Sequence, residues 1–174
     1  QDAQLAQNLI QTGIFGDTAH KKIPMVLEGG SIEVDGCGSL LTSKRCLLNV
    51  NRNPLMTRDQ IEAALMQYFG VKRILWLDFG HVEGDDTDSH IDTLARFCSP
   101  NTIAYTACDD PDDSHYTGLD IMQGQLAEFV TAEGQPYELV PLPMPKPIYA
   151  ENGQRLPAGY ANFLIINDAV LVPV

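Results

Sequence analysis

Two short stretches of the chain set ionisable side chains where they could do chemistry. In the first, Glu28-Gly29-Gly30, a carboxylate directly follows the apolar run Ile23-Pro24-Met25-Val26-Leu27, and the two glycines let other groups approach the backbone closely. An acid that ends a buried strand must be paired or hydrogen-bonded, so Glu28 calls for a partner; the plain alternative is a loop acid pointing into solvent. The second stretch is Glu83-Gly84-Asp85-Asp86-Thr87-Asp88-Ser89-His90-Ile91-Asp92. If a strand begins near His90, side chains at i and i+2 share a face, and His90 and Asp92 look the same way. There the histidine could hand a proton to a departing amine, and the carboxylate could hold a planar cation by paired hydrogen bonds. Two other readings fit the same residues. One is a solvated acidic loop; the other is a divalent-metal loop built from Asp85, Asp86 and Asp88. The spacing is not that of an EF-hand, because no glycine or closing glutamate falls where such a calcium loop needs it.

Charge narrows the partners. Eleven Lys+Arg against 23 Asp+Glu give a formal net charge of -12. A surface of that sign repels phosphate backbones and anionic lipid, which argues against nucleic acid and membranes and favours a cationic small molecule. Solubility alone is the bland reason for the same acidity. Cys37, Cys46, Cys98 and Cys108 form no CxxC pair and no metal-ligand spacing with the histidines. Cys46, Cys98 and Cys108 lie in strand-like apolar runs, where a cysteine usually behaves as a small buried hydrophobe. Scattered thiols suit a reducing, cytoplasmic setting.

The elements that must carry these residues alternate between helix and strand signals, with no sequence repeat. A helix is expected over 2–14, stopped by Gly13 and Gly16, and a second from Arg58 to Phe69, with Thr57 as N-cap and Gly70 closing it. A third helix runs from Tyr116 to Val130. Strands are expected over Ile23–Leu27, Ser31–Val34 turning at Asp35-Gly36 into Ser39–Leu41, Ile74–Leu77, Asp92–Phe97 paired with Thr102–Ala107, Tyr137–Val140, and a last hairpin of Tyr160–Ile166 with Ala169–Val172. The four prolines of 141–147 bar that stretch from a helix or a central strand. With 44% hydrophobic residues over 174 positions there is enough apolar mass for one core, in a mixed α/β order rather than a doubly wound parallel sheet.

At the chemistry-bearing residues the chain resembles a known family. Leu27-Glu28-Gly29-Gly30-Ser31-Ile32, Leu47-Leu48-Asn49-Val50-Asn51-Arg52-Asn53-Pro54 and Gly84-Asp85-Asp86-Thr87-Asp88-Ser89-His90-Ile91-Asp92 look like agmatine deiminase, which is grouped with the bacterial (Porphyromonas-type) peptidyl-arginine deiminases in the guanidine-modifying, or pentein, superfamily. Asp109-Asp110-Pro111-Asp112-Asp113, Leu142-Pro143-Met144-Pro145 and Tyr160-Ala161-Asn162-Phe163 match in the same order. The resemblance implies an α/β fold that is a partial pentein α/β-propeller, built of αβ modules with mixed, hairpin-rich sheets. Residues 1–174 would form a single partial domain, an internal fragment lacking the N-terminal and C-terminal modules. Open module faces of this kind would favour self-association as a homo-oligomer.

Residue by residue, the resemblance puts the glutamate that supports the catalytic histidine at Glu28, the catalytic histidine at His90, and a guanidinium-binding aspartate at Asp92. The family's upstream aspartate, in a Trp-Arg-Asp-like segment, and its nucleophile, in a late Gly-Gly-Asn-Ile-His-Cys segment, find no counterpart among these residues. The implied reaction takes agmatine to N-carbamoylputrescine and ammonia through a cysteine thiouronium intermediate, a step towards putrescine, with no metal or organic cofactor. Peptidyl-arginine is the alternative substrate, and a non-catalytic module that binds cations or completes an assembly is the reading from a different class. The chain alone is expected to form no ureido product from agmatine; steady product formation that depends on Cys46 or Cys98 would overturn the assignment of the nucleophile to another segment.

Overall fold

The computed structural model describes residues 4–173 and is mixed α/β with small mixed sheets. After helix α1 (Leu5–Gln11), one sheet is built from β1 (Ile32–Val34), β2 (Ser39–Ser43) and β3 (Arg73–Leu77) in that spatial order, β1 antiparallel and β3 parallel to β2. The second sheet repeats the construction with β4 (Ala95–Ser99), β5 (Thr102–Ala107) and β6 (Glu138–Pro143): an antiparallel hairpin, then a parallel return strand. A parallel return needs a crossover, and each sheet has a helix for it. Between β2 and β3 come the short α2 (Lys44–Leu47) and α3 (Arg58–Phe69); between β5 and β6 comes α4 (Tyr116–Glu128). A separate hairpin of β7 (Leu164–Ile166) and β8 (Ala169–Leu171) leaves Leu164, Ile165, Ile166, Val170 and Leu171 about half exposed.

Strand β2 is buried along its whole length, and its alternating side chains divide the core in two. Leu40 joins Cys46, Leu47, Ile61, Leu65 and Trp76 beneath α3, whereas Leu41 joins Leu77, Ile91, Leu94, Leu119, Met122 and Leu126 beneath α4. The site residues hang on the ends of these buried strands. Helix α3 has the expected boundaries: Thr57 and Gln60 form a reciprocal capping box, and Gly70 closes the helix at φ 67°.

Several expectations are corrected. Ile23–Leu27 is irregular, bending at Pro24 and Met25, and pairs with no strand. The Asn53 side chain stands in for a neighbour, accepting from the Val26 N–H and donating to the Val26 carbonyl, each at 2.9 Å. Residues 91–93 form a 3-10 turn rather than the start of a strand, because the Thr93 N–H and hydroxyl both fold back onto the His90 carbonyl; the strand begins at Ala95. Tyr160–Phe163 is irregular, its Ala161 and Phe163 carbonyls accepting from the Arg96 guanidinium. Helix α1 is shorter than expected, and the proposed start at Asp2 lies outside the described residues. Cys46 sits in α2, not in a strand, and Cys98 is exposed.

The prolines of β6 fit where the sequence allows them. Glu138 N–H donates to the Asn101 carbonyl and Met144 N–H to that of Ala107, so the even-numbered amides point to β5 and Pro141 and Pro143 fall on the outer edge.

One largely buried ion pair holds the base of the acidic loop. Asp113 accepts both Arg155 terminal nitrogens, at 3.0 and 2.8 Å, and lies 2.7 Å from His115 Nδ1. His115 Nε2 accepts the Glu83 N–H at 2.8 Å, which puts the ring proton on Nδ1, donating to Asp113. Arg155, with His115 assisting, holds the Asp113 carboxyl far below its ordinary value of 3.8. A depressed carboxylate contributes stability that is complete above the ordinary value and is lost as pH falls towards the depressed one. Asp113→Ala, which leaves Arg155 buried and unpaired, is expected to lower unfolding free energy by about 3 kcal/mol near neutral pH. The difference from the unaltered protein should shrink below the ordinary carboxylate value, as read by denaturant titrations at both pH values.

Candidate functional site

The site is assembled from three segments that are distant in sequence. Glu28 precedes a 3-10 turn at Gly29–Ser31, its backbone carbonyl accepting from the Ser31 amide at 3.1 Å and the Ser31 hydroxyl at 2.6 Å. The second segment is the acidic loop. Asp85 folds it by accepting the Thr87 and Ser89 amides, at 3.1 and 2.8 Å, as short acids in turns do. Asp88 and Ser89 then take left-handed backbone, φ 61° and 65°, and Ser43 at the end of β2 fixes the Ser89 carbonyl at 2.6 Å. This sharp reversal delivers His90 to the start of the turn at 91–93. The third segment is 47–54, which brings Arg52.

His90 Nε2 stands 3.5 Å from Glu28 Oε2. That is an ion-pair distance, and the buried Nε2 makes no hydrogen bond. Arg52 Nε donates to Glu28 Oε2, and Arg52 Nη2 donates to Glu28 Oε1 at 3.1 Å. Arg52 holds the Glu28 carboxyl below its ordinary value of 4.5, with His90 adding to the effect. The opposite edge of the imidazole meets Asp92 over Gly30. A Cβ placed on Gly30 would lie 2.6 Å from His90 Nδ1 and 2.5 Å from Asp92 Oδ2. Only a residue with no side chain fits there. Asp92 is half-buried, and that burial pushes its carboxyl upward, partly opposed by His90 and Arg96; its Oδ1 is buried without a partner. A carboxylate in that condition gains most from a cation that brings its own N–H donors.

Glu28, His90 and Asp92, singled out from the sequence, therefore lie around one point. His90 and Asp92 converge by a turn and not by strand alternation. Asp85, Asp86 and Asp88 do not converge on a common centre: Asp85 is bound within its loop and Asp88 Oδ2 accepts from Arg52 Nη1 at 2.8 Å. Among the described residues, the group that could hold a metal is instead Glu28, Cys46 and His90, whose ligand atoms lie within 4.8 Å of one another. Burial pushes the Cys46 thiol up to about 12, which Arg52 opposes without reversing, so the sulfur is protonated near neutral pH and is a poor nucleophile. Arg52 was missed in the sequence. Its signal was the arginine inside an otherwise uncharged 47–54 string, opposite an acid-rich loop.

The chain is similar to known proteins along its whole length. The profile of the Porphyromonas-type peptidyl-arginine deiminase family matches residues 1–174. A Shewanella (strain MR-7) protein provisionally named agmatine deiminase is 37% identical over 194 residues, covering 100% of this chain and 50% of that protein. A Porphyromonas gingivalis structure provisionally named arginine deiminase superposes with TM-score 0.95 at 48% identity, covering 100% of this chain and 52% of that one. A cysteine-to-serine variant of C. jejuni agmatine deiminase with substrate bound gives TM-score 0.86 at 46% identity, covering 96% and 49%. The chain spans about half the length of the curated relatives it matches. Among the described residues no helix is long and apolar enough to cross a membrane.

The convergence over Gly30 gives a direct test. In Gly30→Ala the new methyl must displace either Asp92 or the His90 ring, at an overpacking cost of roughly 1–3 kcal/mol. A crystal structure and a thermal melt of the variant check this; an unmoved pair with unchanged stability would contradict the close approach.

Proposed function

The chain belongs to the Porphyromonas-type peptidyl-arginine deiminase family, and from that premise we propose that a complete protein containing it hydrolyses the guanidinium group of agmatine to a ureido group and ammonia. The observation that carries this reading is the meeting of Glu28, His90 and the unpartnered Asp92 over Gly30. A guanidinium is planar and always charged, so its carbon is attacked only when the group is held and its charge matched. Asp92 takes that part by accepting N–H donors from the substrate. A cysteine thiolate from the half of the protein not spanned here attacks the central carbon, in line with the cysteine-to-serine variant of the C. jejuni enzyme that holds its substrate.

As the C–N bond breaks, the amine leaves as ammonia with a proton from His90. The Nδ1 edge, facing Asp92 and Gly30, is the one that delivers it, while Nε2 faces the Glu28 charge. The same nitrogen then removes a proton from water, which adds to the thiouronium carbon; the C–S bond breaks and the thiolate is regenerated with the ureido product. The chemistry calls for no metal. The product from agmatine, N-carbamoylputrescine, lies on the way to putrescine. We also place the two like-built units, β1–β3 with α3 and β4–β6 with α4, as successive modules of one partial pentein propeller domain. The exposed apolar residues of β7 and β8 then meet another module or a second copy. The family's own description favours peptidyl-arginine as a second substrate class, with the same site and a different far end.

In the complete protein, Asp92→Ala is expected to lower kcat/KM for agmatine by at least about 100-fold. His90→Ala should lower kcat by roughly 100-fold or more while the ligand still binds. Ureido-product assays with agmatine and with an arginine peptide decide the substrate. Loss of turnover on adding a chelator, restored by calcium or magnesium, would defeat the organic-cation reading.

A further inference from the structure

Arg52 bonds to Glu28 and to the loop that carries His90, and makes no hydrogen bond to His90 or Asp92. Its side chain is 8% exposed, against 41% for Glu28. Its guanidinium donates to both Glu28 oxygens, to Asp88 Oδ2 at 2.8 Å, to the Thr87 carbonyl at 2.9 Å and to the Cys46 carbonyl at 3.4 Å. Thr87 precedes and Asp88 begins the left-handed reversal at Asp88 and Ser89 that leads to His90. We infer that Arg52 is the positioning residue of the site: one rigid plane fixes the Glu28 carboxylate and the loop bearing His90 at a set separation. This rests on the deiminase reading for its kinetic consequence but not for its geometry.

Two features make the arrangement specific. A half-exposed glutamate has water as an alternative, and only a fork that takes both oxygens stops it turning outward. With His90 Nε2 at 3.5 Å, Glu28 acts on the ring through its charge. A lysine offers a point charge and cannot span carboxylate, Asp88 and a carbonyl together. The groups facing Glu28 are Arg52 and His90, which both lower its pKa, and the Cys46 thiol within 4.8 Å; Asp88 shares Arg52 from the loop.

The test uses Arg52→Lys and Arg52→Gln. Glu28 is held below 4.5 by Arg52, so its charge survives to low pH; without the fork its titration must move up. Carboxyl carbon NMR of labelled protein should show the Glu28 midpoint rising in both variants and further in Arg52→Gln. In the complete enzyme, kcat for agmatine should fall about 100-fold, as for a misplaced catalytic group, with the acid limb of the kcat profile moved to higher pH. KM should stay within about threefold, since Arg52 does not bind substrate. An unmoved Glu28 midpoint with kcat intact in Arg52→Lys would overturn the inference. So would a uniform fall in kcat at every pH with the midpoint unmoved, which is the mark of a purely structural role, or a raised KM with kcat intact. If unaltered enzyme fails to turn over agmatine, the substrate reading falls, and the Glu28 midpoint still decides the role of Arg52. Should Arg52→Gln not fold, Arg52→Lys carries both measurements.

Discussion

A carboxylate can be withdrawn from water only if donors or positive charge stand opposite it, and this constraint organises the irregular parts of the molecule. The chain is strongly acidic, so its few arginines are placed where they matter. Arg52 meets Glu28 and Asp88, Arg155 meets Asp113, and Arg96 meets Glu33. Arg52 and Arg96 also donate to backbone carbonyls of remote segments, as Arg73 does to those of Val130 and Thr131. Loops that have no ladder of their own are tied down in this way, by forks that satisfy an acid, a carbonyl or both.

Asp92 departs from that pattern. Arg96 and His90 act on it only through space, and one of its oxygens is buried without a donor. In the same loop Asp85 and Asp88 each have partners inside the protein. The contrast between satisfied acids and one unsatisfied acid is what gives the site its preference for an incoming cation, and it depends on Asp85 and Asp88 being occupied elsewhere.

Much of this could be read from the sequence where local chemistry decides structure. The capping box and closing glycine of α3, the hairpin at Asp35-Gly36, and helix α4 follow from residue type and spacing. Glu28, His90 and Asp92 were legible as a set through the resemblance of their motifs. Other features depend on partners far away along the chain. The apolar run at 23–27 bonds through Val26 to the Asn53 side chain instead of to a strand. Asp92 was expected in a strand, but the Thr93 hydroxyl tightens the backbone into a turn. Arg52 stood only inside a resembling motif with no role, because nothing nearby in sequence announces that Glu28 and Asp88 flank it. The two sheets repeat in topology without repeating in residues, so no internal similarity marked them.

The outer edge of β6 has a consequence for growth and assembly. Pro141 and Pro143 remove two successive donors from the side of the strand that faces away from β5, so an incoming strand would find gaps in its ladder at alternate positions. The second sheet is therefore closed to extension from this side, and neighbouring structure must approach through side-chain packing. Such a border keeps one unit's hydrogen-bonding from running into the next. It also hinders edge-to-edge pairing of this strand with copies of itself while the chain folds.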